Sequence, residues 1–109
     1  MSRMGSARVR MPQSARRGEI IEIRALVLHP MESGFRPDNT GKAVARHIVE
    51  SFACVYNGRE IFRATLHPAV STNPFFTFYA LATDSGELVF TWRDDQGGEA
   101  HVRQKLAVT

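Results

Sequence analysis

Apolar residues recur at every second position along most of this chain, and that spacing constrains its fold more than any other feature. In "EIIEIRALVL" (19–28), Ile21, Ile23, Ala25 and Val27 fall on one face, with Glu22 and Arg24 opposite them. A period of two belongs to a pleated strand with one buried and one solvated face, whereas a helix repeats near 3.6. "ELVFTWR" (87–93) sets Leu88, Phe90 and Trp92 against Val89, Thr91 and Arg93. "EAHVRQKLAV" (99–108) points Val102, Leu106 and Val108 one way and Arg103 and Lys105 the other. In "ARHIVESFACVYNGREIFRATL" (45–66), Asn57-Gly58 separates two such runs; both residues tolerate positive φ, so a tight hairpin is expected there. "FFTFYALA" (75–82) is rich in strand formers, and "TDSGE" and "DDQGG" supply turns.

These runs predict six strands and a seventh at "ARVRM" (7–11), with no amphipathic helix. The fold class that follows is all-β, an immunoglobulin-like antiparallel β-sandwich of about seven strands. The Cys…Trp…Cys pattern of true immunoglobulin domains is missing, so the likeness is architectural. At 109 residues the expectation is a single domain over 1–109, with residues 1–5 a flexible basic N-terminus.

The net charge of +3 raises the question of nucleic acid. Residues 1–18 hold five arginines and no acid, leaving nine basic against eleven acidic side chains on the rest of the chain. A nucleic-acid reader carries its basic face on the folded body, so no nucleic-acid partner is expected. No run approaches the ~18 apolar residues of a membrane span, so no membrane association is expected either. The N-terminus shows no apolar signal core, and Glu19, Glu22 and Arg24 interrupt "RRGEIIEIRALVL" as a twin-arginine signal. Read alone, the chain stays in the cytoplasm.

The inventory of reactive groups is thin. Cys54, the single cysteine, shares a strand face with Phe52 and Tyr56 and reads as core. Ser51 and Ser71 lack a nucleophile-elbow context, the carboxylates show no catalytic spacing, and Gly97-Gly98 is a turn without a following helix. The four histidines, His29, His47, His67 and His101, form no His-x-x-Cys or Cys-x-x-Cys seed for a metal. His29 and His67, each before a proline, are expected at strand ends and partly exposed. No catalytic residue, metal or cofactor is expected, and the chain does not read as an enzyme.

What remains suits a protein partner. The long loop 29–44 offers His29, Pro30, Met31 and Phe35. "HPAVSTNPFFTFYA" (67–80) places two X-Pro steps before an aromatic strand and adds Asn73, Pro74 and Phe75 as interface candidates. Phe75, Phe76, Phe78 and Tyr79 would otherwise fill both faces of a central strand, though aromatics on both faces exceed what one inner face needs.

Two family resemblances bear on these residues. "HPMESG", "HIVESF" and "VYNGREI" resemble superoxide reductases, a likeness that would imply an iron site of four histidines and one cysteine. That family's cysteine lies in a turn three residues before its last histidine, whereas Cys54 lies inside a strand and is followed at that distance by Asn57. "LVLHPMESGFRPD", "ARHIVESFACVYNGREIFRA", "LHPAVSTNPFFTF" and "LVFTWRDDQGGE" resemble the SoxZ family across residues 6–109. This second likeness is the fuller one and takes precedence; an iron-binding redox sandwich is the alternative.

The SoxZ resemblance implies an immunoglobulin-like sandwich and a carrier role without catalysis. The partner would be a SoxY-like subunit holding the sulfur intermediate on a cysteine of its glycine-flanked C-terminal arm, with other Sox enzymes engaged through the complex. "RQKLAVT" ends this chain with neither cysteine nor glycine arm. The resemblance further implies a periplasmic protein exported with its partner. Self-association of the isolated chain is compatible with it.

Overall fold

Each expected run of alternating residues forms a strand in the computed structural model, which describes residues 6–68, 70 and 72–109. The N-terminal segment expected to be flexible, residues 1–5, lies outside them. In chain order the strands are β1 (Ala7–Arg10), β2 (Ser14–Ala15), β3 (Ile20–Val27), β4 (Val49–Tyr56), β5 (Arg59–Thr65), β6 (Phe75–Leu81), β7 (Gly86–Asp94) and β8 (Glu99–Val108). One sheet has the order β1-β3-β6 and the other β2-β8-β7-β4-β5.

The alternation becomes burial. Ile21, Ile23, Ala25 and Val27 of β3 and Phe78 of β6 face Phe52 and Cys54 of β4 and Leu88, Phe90 and Trp92 of β7 across the sandwich. Phe52 is its aromatic hub, with ring centroids 4.8 Å from Phe76 and 4.9 Å from Trp92, while Phe62 stacks on Phe78 at 4.3 Å. Such pairs add about 0.5–1.5 kcal/mol each beyond the area they bury.

The Asn57-Gly58 hairpin forms as expected, with φ of 50° and 81°. The side chains beside it tie it to the turn before β7. The Tyr56 hydroxyl donates to the Asp84 carbonyl and accepts from the Thr83 and Asp84 N–H groups at 3.3 and 3.2 Å. Asn57 Oδ1 accepts from the Glu87 N–H and occupies the space where a Cβ on Gly86 would stand, only 1.5 Å away, so that position admits only glycine without a shift.

Two features depart from the sequence reading. β2, two residues long and paired in parallel with β8, was not expected; a run that short carries no periodicity to read. With β1 on one sheet and β2 on the other, the N-terminal segment crosses between the sheets and closes one side of the sandwich. Residues of β5 and β6 flank the other side, which stays open. β6 is therefore an edge strand, which sets aside the reading of its aromatics as the filling of a central strand.

Candidate functional site

The loop between β3 and β4 is pulled against the end of the sandwich by Asn73. Its Oδ1 accepts from the His29 N–H at 2.8 Å, and its own N–H donates to the His29 carbonyl at 2.8 Å. Asn73 adopts φ 52°, a left-handed conformation that asparagine tolerates better than most residues. "LHPMESG" and "TNPF" (72–75), far apart in sequence, are thus one structural unit. His29 is consequently buried, 3% exposed, and not partly exposed as its place before a proline suggested; His67 is exposed.

Buried His29 meets two other polar groups that the sequence reading left unconnected. Its Nε2 lies 3.3 Å from His47 Nε2, which lies 3.0 Å from Asp94 Oδ2, and the two rings meet edge to face. A bridge between Glu32 and His47, with N–H to carbonyl distances of 2.7 and 2.8 Å, brings His47 into place. Asp94, 4% exposed, closes the β7–β8 turn by accepting the Gln96 and Gly98 N–H groups on Oδ1 at 2.9 and 2.6 Å. Next to it, Asp95 accepts the Ile48 N–H at 3.0 Å and pairs with Arg46 at 3.2 Å, anchoring the far end of the same loop.

The protons in this cluster can be assigned from its donors. The Met31 N–H donates to His29 Nδ1 at 2.9 Å, so a neutral His29 carries its hydrogen on Nε2, toward His47. Neutrality is also what its surroundings favour. Burial lowers its pKa first and His47 second, against the opposing pull of Asp94 and Asp95.

The three donor atoms lie within 4.8 Å of one another, a spacing that could hold a metal ion. The proton pattern does not suit one. A metal-bound imidazole usually donates its second N–H outward to an acceptor, whereas His29 Nδ1 faces a donor and leaves no lone pair on Nε2. Nor does the five-ligand set implied by the superoxide reductase likeness come together, since only His29 and His47 of that set share a cluster among the described residues. Cys54 is fully buried in β4, its thiol pushed up to about 12 by desolvation, and exposed His101 pairs with Thr91 and Glu99. His47 Nε2 can accept from His29 or donate to Asp94 but not both at once, so the backbone bonds of His29 and Asp94 are what hold this end of the loop.

The interface candidates separate by burial. Pro30, Phe35, Asn73 and Phe75 are exposed, Phe35 and Phe75 by 85% and 57%, while His29, Met31 and Pro74 are buried. Met31 Sδ even accepts the Val49 N–H at 3.2 Å, so Met31 anchors its loop.

Sequence reasoning overlooked a second surface. On the outer face of the three-stranded sheet, Ile20, Tyr79 and Leu81 are 68%, 64% and 53% exposed and join Phe75. The register sets Ile20 beside Leu81, Glu22 beside Tyr79 and Leu26 beside Phe75. The signal was present: these apolar residues occupy the phase of β3 and β6 that alternation reserves for polar ones.

Among family models, the one described as "Sulphur oxidation protein SoxZ" matches residues 9–105. No curated protein matches the sequence. Solved structures share the fold at low identity. A superoxide reductase (neelaredoxin) from Ignicoccus hospitalis aligns with TM-score 0.73 and 17% identity over 97% of this chain and 82% of its own. A putative superoxide reductase from Thermotoga maritima gives 0.73 and 18% over 94% and 85%. The sulfur carrier protein SoxY from Chlorobium limicola f thiosulfatophilum gives 0.67 and 11% over 94% and 78%. At these identities the likenesses establish the fold alone.

Proposed function

Because this chain belongs to the SoxZ family of sulphur oxidation proteins, we propose that it is the non-catalytic scaffold subunit of a SoxYZ-type heterodimeric sulfur carrier. It binds a SoxY-like subunit, which holds the sulfur intermediate on its C-terminal cysteine during bacterial thiosulfate oxidation. Other Sox enzymes reach that intermediate through the complex. The pair works in the periplasm, where this subunit arrives with its partner. The family match over residues 9–105 carries this reading.

The chemistry of Cys54 supports the division of labour. A carrier thiol has to become a thiolate and visit several enzymes in turn, which needs exposure and a flexible tether. Cys54 is 0% exposed, sits mid-strand in β4, and has its pKa pushed up to about 12. It can neither ionise readily nor move.

The reading is tested by intact-mass analysis of both subunits after turnover with thiosulfate and the other Sox components. Sulfur adducts are expected on the partner alone, and loading should survive Cys54→Ala. Adducts on Cys54 that disappear in that variant would make this chain the carrier and overturn the proposal.

A further inference from the structure

We propose that the SoxY-like subunit docks on the outer face of the three-stranded sheet, across β3 and β6 and into the groove between β6 and β5. The inference rests on the subunit reading above and adds the surface that does the binding.

Ile20, Phe75, Tyr79 and Leu81, each more than half exposed, lie on regular strands whose inner faces are already packed. They contribute nothing to the core, and large apolar groups gathered on one face of a folded domain mark an interaction site. At the middle of this face Arg24 Nε donates to Glu22 Oε1 at 2.7 Å, and the Tyr79 hydroxyl lies 3.4 Å from Glu22 Oε2. The central charges are thus paired to each other, which lowers the penalty of covering them.

The edges of the two sheets differ in the same sense. Free strand edges ordinarily carry charges or irregularities that discourage pairing. β5 conforms, with Arg59, Glu60 and Arg63 and a shift of register against β4 between Cys54 and Val55. β6 reads "FFTFYAL", with no charge, no proline and no register shift against β3. A groove of about 530 Å³ runs beside it, lined by Tyr56, Arg59, Ile61, Tyr79, Leu81 and Asp84 among others.

The dimensions suit a subunit-sized partner. Seven residues of β6 at ~3.4 Å each give a strip ~24 Å long, and two strands plus the gap between sheets make it ~20 Å wide. That is roughly 500 Å² in projection, before side-chain relief is added, against the ~800 Å² of accessible area per partner of a specific complex. The occupant is a chain of the same architecture: a SoxY sandwich superposes on 94% of this chain with TM-score 0.67. Such a partner can present its own corresponding sheet, so that two like faces pack about a pseudo-twofold axis.

The experiment measures affinity between the full chain and the SoxY-like subunit of the same host by calorimetric titration, with circular dichroism on every variant. Tyr79→Lys and Ile20→Glu, both at exposed positions, should keep the wild-type spectrum and weaken binding about 100-fold. Phe35→Lys, on the exposed loop beside His67 and Pro68, should change it less than about threefold. Tyr79→Ser repeats the test without a new charge and should also weaken binding. Retained affinity in both Tyr79 variants, with loss in Phe35→Lys, would move the interface to the loop and overturn the inference alone. A homodimer of the isolated chain that Tyr79→Lys dissolves, with partner affinity unchanged, would assign the face to a second copy and overturn it as well. Failure of the unaltered chain to bind would overturn the subunit reading together with the inference.

Discussion

Two regions of this molecule break the usual arrangement of apolar inside and polar outside, in opposite directions. At one end of the sandwich His29 and Asp94 are buried, 3% and 4% exposed. On the outer face of β3 and β6, Ile20, Tyr79, Leu81 and Phe75 stand in solvent. The buried polar groups are bonded to backbone and to Asn73, so the folded chain alone accounts for them. The exposed apolar surfaces are covered by nothing within the described chain. A violation resolved internally reads as architecture; one left open reads as a surface awaiting a partner.

The contrast can be broken most directly at Asp94. Asp94→Ala removes the acceptor of the Gln96 and Gly98 N–H groups and the partner of His47. A loss of about 3–5 kcal/mol is expected, measured by urea denaturation. A loss below about 1 kcal/mol would show that Asp94 does not hold this end together.

A smaller effect is expected one contact further out. Asn73→Ala deprives the buried His29 N–H of its acceptor and should cost about 1–2 kcal/mol by the same measurement. An unchanged urea midpoint would mean that the loop holds its place without that clamp.

Proton uptake tests the same end without mutation. Burial and the neighbouring His47 lower the pKa of His29 from its ordinary 6.5, so below that pH the unfolded chain takes up a proton that the folded one resists. His29 should therefore contribute fully to stability above about pH 6.5 and less as the pH falls toward its folded pKa. Melting temperature followed from about pH 8 to about pH 5 should drop on the acid side, and less steeply in His29→Asn. Parallel profiles would remove His29 from the titration.

The apolar face should barely register in stability. Tyr79→Ser is expected to shift the unfolding free energy by no more than about 0.5 kcal/mol, since its side chain is mostly exposed. A loss of about 2 kcal/mol or more would make Tyr79 part of the monomer's own architecture and erase the contrast. Zinc or ferrous iron added to the purified chain should leave the melting temperature where it was, because His29 presents a protonated Nε2 to the cluster. Stoichiometric metal, lost in His29→Ala, would revive the iron-binding reading.

Much of the fold was legible in the residues. The alternation of Ile21, Ile23, Ala25 and Val27 becomes a fully buried row, and Leu88, Phe90 and Trp92 another. Cys54 takes the core position that its neighbours Phe52 and Tyr56 indicated. The site was less legible. His29, read as partly exposed from the proline after it, is buried by a side chain 44 positions away. Asp94, read only as part of a turn, joins His47 across 47 positions.

The sequence by itself determined that the chain pairs strands, which face of β3, β4, β7 and β8 turns inward, and where Asn57-Gly58 reverses direction. These are local properties, set by a two-residue repeat and by the φ angles that individual residues tolerate. Only the tertiary structure decided that β6 lies at an edge, that Ile20, Phe75, Tyr79 and Leu81 share one uncovered face, and that His29, His47 and Asp94 meet. Strand order and side-chain clusters come from closing long stretches of chain onto one another, and periodicity within a strand does not encode which strands become neighbours.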